Sequence, residues 1–302
     1  KAVFDQAKNN GLESDGLGKL EEKLTEPIAK NSNIQNLPQS QIQSLTNLYN
    51  QGKLQQVFKE TQTLTKQYSK SLALWNLMGA AATKLGQLDK ALLAFNKIIS
   101  IKPDHAETYY NIGVTLQNQE KPEEALVAYN KAVSLDPDNA EAYNNIGGIL
   151  RECGKLESAI EAYSKAVSLN SDYADAYNNI GVALNEHGKL ESAIEAYNKA
   201  IALKPDNADS YNNMGNALQN QGKLHEALIA YNKALLFKPD FAEAYNNTTD
   251  LLKKYSPKSK QSHIIFTIDK KIKKLSSALI KAVSNDEITA HLIEGLNKSA
   301  LL

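Results

Sequence analysis

A strict period of 34 residues is the feature that most constrains what this chain can fold into. Tyr-Asn-Asn triplets begin at Tyr143, Tyr177, Tyr211 and Tyr245, each 34 residues after the one before, and Tyr109-Tyr110-Asn111 extends the series backwards. Fixed periods of about 20 to 50 residues are typical of repeat proteins, in which each unit packs only on its neighbours. We therefore expect one array of similar units, although a chain of 302 residues has the length of two average domains.

The residues of the array keep a register within each period. We number each unit from position 1, which is Ala140 in the unit 140–173. Aromatic residues recur at positions 4 and 24, Gly at position 8, Ala at position 20 and a small or aliphatic residue at position 27. Positions 4, 7, 8 and 11 share one face of a first helix, and positions 20, 24 and 27 share one face of a second helix. Each unit is therefore predicted to be a hairpin of two amphipathic helices.

Turn residues support the hairpin. Gly-Lys-Leu at 154–156, 188–190 and 222–224 is expected to end the first helix, with Gly in the left-handed cap conformation. Pro122 is expected at the start of a second helix, where a missing N–H is harmless. We expect the small residues to let helices approach closely and the rings at positions 4 and 24 to fill the space between successive hairpins.

This register resembles the tetratricopeptide repeat (TPR) family over 38–255. The resemblance implies an all-α fold, a right-handed superhelical solenoid of TPR helix-turn-helix repeats with extra terminal helices. The expected organisation is an N-terminal helical cap or linker at 1–37, a degenerate TPR at 38–71, full TPRs at 72–105, 106–139, 140–173, 174–207 and 208–241, a partial repeat helix at 242–255, and C-terminal helices, as cap or linker, at 256–302.

The pattern weakens at both ends of the array. Unit 38–71 keeps only Leu45, Leu48, Gly52, Val57 and Leu64 at expected core positions. Past position 6 of the last unit, Thr248 and Thr249 replace an apolar residue and Gly. One helix is then predicted at 263–283, and a second is predicted to start at a capping box at 284–287 and to end near Leu296. We expect both helices to cap the terminal repeat. A linker into a further domain is the alternative.

Charge and composition exclude several classes of function. The chain has 34 basic and 34 acidic residues, so it lacks the basic surplus of a nucleic-acid-binding domain. It also lacks an apolar run of about 18 residues that would span a membrane. Its single cysteine forms no internal disulfide, which favours a reducing compartment and a cytoplasmic location. The chain begins at Lys1 instead of Met, so a removed signal peptide stays an open alternative.

No constellation of residues indicates catalysis, a metal or a cofactor. The five histidines show no i, i+4 pairing and no nearby cysteine, so we expect no metal site. Cys153 lacks a neighbouring base and is interpreted as a small, partly exposed filler. The Gly-Lys-Leu turns follow helices and lack the spacing of a phosphate-binding loop. We therefore expect a chain that is not itself an enzyme.

The family resemblance implies that ligands lie against the first helices, on a concave surface lined by positions 2, 5, 6, 9, 12 and 13. These positions hold mainly carboxylates and amides. Position 2 gives Glu107, Glu141, Asp175, Asp209 and Glu243; position 5 gives Tyr110, Asn144, Asn178, Asn212 and Asn246; position 6 gives Asn111, Asn145, Asn179, Asn213 and Asn247; position 12 includes Arg151.

An amide offers two donors and an acceptor, so a row of Asn complements the backbone of an extended peptide. The row resembles the asparagine-lined superhelix of the O-linked N-acetylglucosamine transferases. Asn at position 6 bonding within its own repeat is the alternative interpretation. Acids at position 2 disfavour the carboxylate clamp of chaperone-binding members, so the expected ligand is neutral or basic.

We therefore predict a scaffold that binds an extended peptide or a partner helix in the concave groove. The alternative function is the substrate-recruiting region of a larger enzyme, a transferase or an oxygenase. End-to-end self-association through an uncovered terminal face is a further possibility.

Overall fold

A computed structural model describes the backbone of residues 37–255 and the side chains as far as Lys253. The helices expected within 1–36 and 256–302 lie outside the described residues, as do His263 and His291. The described chain divides into two compact units between Cys153 and Gly154, and each is treated by itself below.

Every regular element within 37–255 is an α-helix. The first unit contains α1 (Gln39–Asn50), α2 (Leu54–Gln67), α3 (Leu72–Lys84), α4 (Leu88–Ile101), α5 (Ala106–Asn118), α6 (Pro122–Leu135) and α7 (Ala140–Glu152). The second unit contains α8 (Leu156–Leu169), α9 (Ala174–Glu186), α10 (Leu190–Leu203), α11 (Ala208–Asn220), α12 (Leu224–Phe237) and α13 (Ala242–Tyr255). The predicted all-α architecture of repeated helix-turn-helix units is confirmed.

Glycine ends the first helices as predicted. Gly154, Gly188 and Gly222 have φ of 71°, 80° and 77°, in the left-handed region that favours Gly. At the end of α9, the Lys189 N–H then donates to the Leu184 carbonyl at 2.8 Å, which closes the last turn. Pro122 occupies the first turn of α6, where its missing N–H costs nothing.

One repeat makes the same turn without glycine. Glu120 stands where the other repeats have Gly, and its φ is 59°. The Lys121 N–H donates to the Leu116 carbonyl at 3.0 Å, the same closing bond as in the glycine turns. A side chain in this region carries a steric cost between Cβ and the backbone, so the repeat 106–139 holds a strained turn.

The aromatic ring at position 24 packs within its own hairpin. A Cβ built on Gly215 would lie 2.5 Å from the ring of Tyr231, and one on Gly113 would lie 2.6 Å from the ring of Tyr129. Both rings are fully buried. Gly at position 8 leaves the room that the ring of the same repeat occupies. The ring also packs on the following hairpin, as expected, because Tyr197 clusters with Ala217 and Tyr231 with Leu251.

The ring at position 4 contacts its own repeat and a neighbouring one, and Tyr211 is buried in a cluster with Ala244 of the following repeat. The Tyr109 hydroxyl donates to the Pro103 carbonyl of the preceding repeat at 3.1 Å, and the Lys131 ammonium lies 5.9 Å from the Tyr109 ring centroid. In the second unit Lys233 lies over the Tyr211 ring in the same way, at 5.4 Å. This ring therefore links the end of one repeat to the second helix of the next.

The terminal parts of the array depart from the repeat pattern. In the first hairpin Leu45 and Val57 are buried as expected, whereas Leu48 and Leu64 are only half-buried and Phe58 joins the core. In α13 the buried Thr248 donates from its hydroxyl to the Ala244 carbonyl at 2.8 Å. This bond satisfies a polar group where the other repeats have an apolar side chain.

Candidate binding face of the first helices

Amides at position 6 bond to the preceding repeat. In the second unit Asn213 Nδ2 donates to Asn178 Oδ1 at 3.2 Å, and Asn247 Nδ2 donates to Asn212 Oδ1 at 2.9 Å. In the first unit Asn111 Nδ2 donates to Oδ1 of Asn76, at 3.3 Å. The acceptor is position 5 of the repeat before in each case, so these amides do not bond within their own repeats.

Amides at position 5 continue the chain of bonds to the carboxylate at position 2 of the following repeat. Asn212 Nδ2 donates to Glu243 Oε1 at 2.8 Å, and Asn76 Nδ2 donates to Glu107 Oε1 at 3.3 Å. Positions 2, 5 and 6 of successive first helices therefore adjoin. We call the surface that these three positions form within each compact unit the amide face.

The exposure of the predicted site residues falls into three classes. The carboxylates at position 2 all lie in solvent, and the amides beneath them are mostly half-buried. Exposed are Glu107, Glu141, Asp175, Asp209, Glu243 and Asn246; half-buried are Tyr110, Asn111, Asn144, Asn145, Arg151, Asn178, Asn179, Asn213 and Asn247; Asn212 is 1% exposed. The two described units carry separate parts of this set, and within each unit the structure brings neighbouring members together.

Tyr110 replaces the amide at position 5 in one repeat. Its ring lies 5.7 Å from the buried ring of Tyr129, centroid to centroid, at an angle of 49°. Asn145, at position 6 of the next repeat, donates to the Tyr129 hydroxyl at 3.2 Å. Burial raises the pKa of Tyr110, the nearby carboxylate of Glu141 raises it further, and hydrogen bonding to Asn145 opposes both effects.

The hydroxyls of the buried position 24 tyrosines bond to polar side chains of the first helices. The Tyr231 oxygen lies 2.8 Å from Asn216 Oδ1 and 3.1 Å from Gln219 Oε1, so its single proton is donated to one of the two at a time. Asn216 Oδ1 also accepts from Asn247 at 3.0 Å. Burial, with a smaller contribution from Glu243, raises the pKa of Tyr231 to about 12. In the first unit burial likewise raises the pKa of Tyr129.

Sequence reasoning did not include Asn76, Asn216, Tyr129 and Tyr231 in the site. Asn76 was detectable, because it occupies position 5 of its unit. Asn216 falls at position 9, where Val114 and Val182 provide small apolar patches, and its role depends on bonds to Tyr231 and Asn247. In the sequence Tyr129 and Tyr231 fit the pattern of packing residues, so the hydrogen bonds of their hydroxyls could not be predicted from it.

The amides keep part of their hydrogen-bonding capacity for a ligand. An Asn side chain has two N–H groups and an oxygen with two lone pairs. Asn213 uses one N–H on Asn178, and Asn178 Oδ1 accepts from both Asn213 and the Ser210 hydroxyl. The amide face therefore combines side chains that bond to one another with donor and acceptor groups of the kind that complement a peptide backbone.

The described residues offer no comparable site for a metal or a nucleophile. Among residues 37–253, no three His, Cys, Asp or Glu side chains come together in a way that could hold a metal ion. Cys153 is a free, exposed thiol. His187 Nε2 lies 3.4 Å from Glu157 Oε1, a polar contact on the second unit.

Three family models match the chain. One described as a TPR repeat matches residues 79–120, 147–188 and 183–222. Two further models are each described as a tetratricopeptide repeat. One matches residues 106–139 and 208–241, and the other matches residues 128–161. Together these matches run without a gap from 79 to 241, which is more than half of the 302 residues.

Solved structures with the same fold are also found. A crystal structure of MamA is 32% identical, covers 55% of this chain and 97% of that chain, and has a TM-score of 0.51. YrrB, described as a TPR protein with an unusual peptide-binding site, is 21% identical over 62% of this chain and 96% of that chain, with a TM-score of 0.53. PilF of Pseudomonas aeruginosa is 21% identical over 68% and 91%, with a TM-score of 0.57.

None of the curated proteins compared with the chain matches it. Among the described helices, none has both the length and the apolar character needed to cross a membrane.

Proposed function

Because the chain belongs to the tetratricopeptide repeat family, we propose that it holds an extended segment of another protein, or a partner helix, against its amide face. Repeats of this family are protein-interaction scaffolds and are typically not catalytic. The polypeptide that binds is neutral to basic.

The pairing of exposed carboxylates with fixed amides is the observation that carries the proposal. In the second unit Asp175 and Asp209 are exposed, while Asn178 and Asn213 beside them bond to each other at 3.2 Å. A side chain that is already held loses less rotamer entropy when a ligand arrives. An extended peptide presents an N–H and a C=O at regular intervals, and regularly spaced amides complement both groups.

Charge selects among extended ligands. Position 2 places one exposed carboxylate in each repeat from 106 to 243, whereas Arg151 is the cation among the predicted site residues. Carboxylates repel an acidic segment and attract a basic one, and this attraction raises the association rate at low salt. YrrB, which shares the fold, is described as having a peptide-binding site, so the fold accommodates a peptide.

Selection from a displayed library of random, linear peptides tests the proposal on the full chain. Peptides that it enriches are synthesised with blocked ends, and their dissociation constants are measured by fluorescence anisotropy. The double variant Asp175→Asn with Asp209→Asn is compared with Glu191→Gln with Glu195→Gln, which removes two exposed carboxylates from the second helix α10 instead.

We expect the enriched peptides to be poor in Asp and Glu. We expect the first double variant to weaken their binding by about tenfold, since two favourable charge contacts are lost, and the second to leave it unchanged. The proposal is wrong if no peptide binds saturably. It is also wrong if the two double variants weaken binding equally, because binding would then follow net charge and not the amide face.

A further inference from the structure

One repeat has no amide at position 5 of the amide face. Position 5 is Asn in every repeat from 72 onward except 106–139, where it is Tyr110. In two repeats the position 5 amide donates to the position 2 carboxylate of the next repeat, Asn212 to Glu243 at 2.8 Å and Asn76 to Glu107 at 3.3 Å. The second of these bonds lies in the same compact unit as Tyr110.

Replacing the amide by a phenol changes the environment of Glu141. Glu141 is the position 2 carboxylate that follows Tyr110, and these two positions adjoin where Asn76 bonds to Glu107. Its side chain is exposed. Burial raises the pKa of the Tyr110 phenol and the carboxylate of Glu141 raises it further, so the ring stays neutral at physiological pH. An exposed carboxylate side chain therefore lies near a neutral aromatic ring.

The ring of Tyr110 is held from the interior. Tyr129 is fully buried and contacts Tyr110 with a centroid distance of 5.7 Å. Tyr129 is itself fixed, because Gly113 lies directly against its ring and Asn145 donates to its hydroxyl at 3.2 Å. Tyr110 is only half-buried, so part of its side chain is open to a ligand.

We propose that Tyr110 and Glu141 form a seat for one cationic side chain, Lys or Arg, of the polypeptide bound on the amide face. The seat rests on the proposed function, which supplies that polypeptide. An aromatic face attracts a cation through its quadrupole, and a carboxylate beside it neutralises the charge. Arg fits best, because its planar guanidinium stacks on a ring and donates two hydrogen bonds to a carboxylate at the same time.

The seat also sets the register of the bound chain. A row of similar repeats binds an extended backbone equally well after a shift by one repeat, since each Asn presents the same groups. Within the first compact unit Tyr110 stands between Asn76 and Asn144 in the series of position 5 residues, so it interrupts the amides at one place. A ligand with one well-placed Arg therefore binds in a single register.

Two probe peptides test the seat. Both are linear, blocked at their ends and built from Ser and Asn; one has a central Arg and the other a central citrulline, which has the same shape without the charge. Their dissociation constants are measured with the full chain, with Tyr110→Asn, with Glu141→Gln and with Glu123→Gln. Asn is the residue of the other repeats at this position, and Glu123 is an exposed carboxylate on the second helix α6.

We expect the Arg peptide to bind the unaltered chain about five- to tenfold more tightly than the citrulline peptide, the range of a single exposed cation–π and carboxylate contact. We expect this ratio to fall to about two- to threefold in Tyr110→Asn and in Glu141→Gln, because each variant keeps one of the two contacts, and to persist unchanged in Glu123→Gln. Thermal unfolding reports whether each variant is folded. If Tyr110→Asn does not fold, the ratio measured with Glu141→Gln is the test of the seat.

The outcomes separate the seat from the proposed function. If both peptides bind with equal affinity, the seat is wrong and peptide binding stands. If neither binds, the probe becomes N-acetyl-arginine N-methylamide, titrated while the ring signals of Tyr110 are followed by NMR. A saturable shift that Glu141→Gln abolishes then supports the seat although the peptide proposal fails, and no shift contradicts both.

Discussion

Asn213 and Asn178 are 35 residues apart in the chain, and the amide of one donates to the amide oxygen of the other at 3.2 Å. This bond joins successive repeats, so side chains that we propose to contact a ligand also hold α9 and α11 together. The amide face therefore has a structural role beside its proposed binding role, and substitutions in it need a stability measurement beside every binding measurement.

The first prediction concerns this bond. Asn213→Ala removes a half-buried hydrogen bond worth about 1 kcal/mol, whereas Asn246→Ala removes an exposed side chain from the same row. Both changes gain helix propensity equally, since both residues are inside helices. We expect Asn213→Ala to be less stable than Asn246→Ala by about 1 kcal/mol in denaturant unfolding. Equal stabilities would show that the bond between repeats contributes nothing.

The second prediction concerns the contact between Gly215 and Tyr231. Ala in the middle of a helix is normally about 1 kcal/mol more stable than Gly. At Gly215 the added Cβ would lie 2.5 Å from the Tyr231 ring, so we expect Gly215→Ala to destabilise the protein by about 1 to 3 kcal/mol. Tyr231→Leu makes room, and the double variant should recover part of the loss. A Gly215→Ala variant more stable than the parent would contradict this packing.

The third prediction concerns the strained turn at Glu120, whose φ is 59°. Glu120→Gly removes the clash between Cβ and the backbone, and we expect a gain of about 0.5 to 1 kcal/mol in unfolding free energy. The reverse change provides the control: Gly188 has φ 80° and no atom within 4 Å of a built Cβ, so Gly188→Ala should lose stability through backbone strain alone. Thermal unfolding of both variants measures the effect. A stabilised Gly188→Ala would refute the strain argument.

The fourth prediction concerns alkaline pH. The unfolded Tyr231 ionises near pH 10, whereas burial raises the pKa in the folded protein to about 12. The phenol is neutral in both states below pH 10, so stability is fully present there. Between pH 10 and about 12 the unfolded state loses its proton first, and stability falls by about 1.4 kcal/mol per pH unit.

Tyr231→Phe distinguishes this effect from general alkaline unfolding. The variant loses the hydroxyl bond to Asn216 or Gln219, so we expect it to be about 1 kcal/mol less stable at neutral pH. Its stability should then fall less steeply above pH 10. Denaturant unfolding at several pH values gives both slopes, and identical slopes would show that Tyr231 is not protonated longer in the folded state.

The repeats were predictable from sequence because local rules determine them. Gly188 ends α9 through its own backbone freedom, and Pro122 starts α6 for the same kind of local reason. The same turn residues recur in each repeat, so a correct assignment of one hairpin also assigns the others.

The bonds of the amide face were not predictable in the same way. Whether Asn213 bonds within its repeat or to Asn178 depends on side-chain rotamers and on the offset between helices of successive repeats, and the period alone does not fix either. The position of the Tyr231 ring is similar, since the sequence gives a ring and a Gly but not which hairpin brings them together. Strain at Glu120 arises because the closing bond of the turn is kept without the residue that favours it.

NMR of side-chain amides tests the central claim most directly. The full chain is titrated with an enriched peptide while the side-chain N–H signals of asparagines are followed. The account predicts saturable shifts for Asn178 and Asn213, which lie on first helices, and none for Asn198 and Asn232, which lie on the second helices α10 and α12. Shifts confined to Asn198 and Asn232 would place the peptide on the second helices and contradict the amide face as the binding surface.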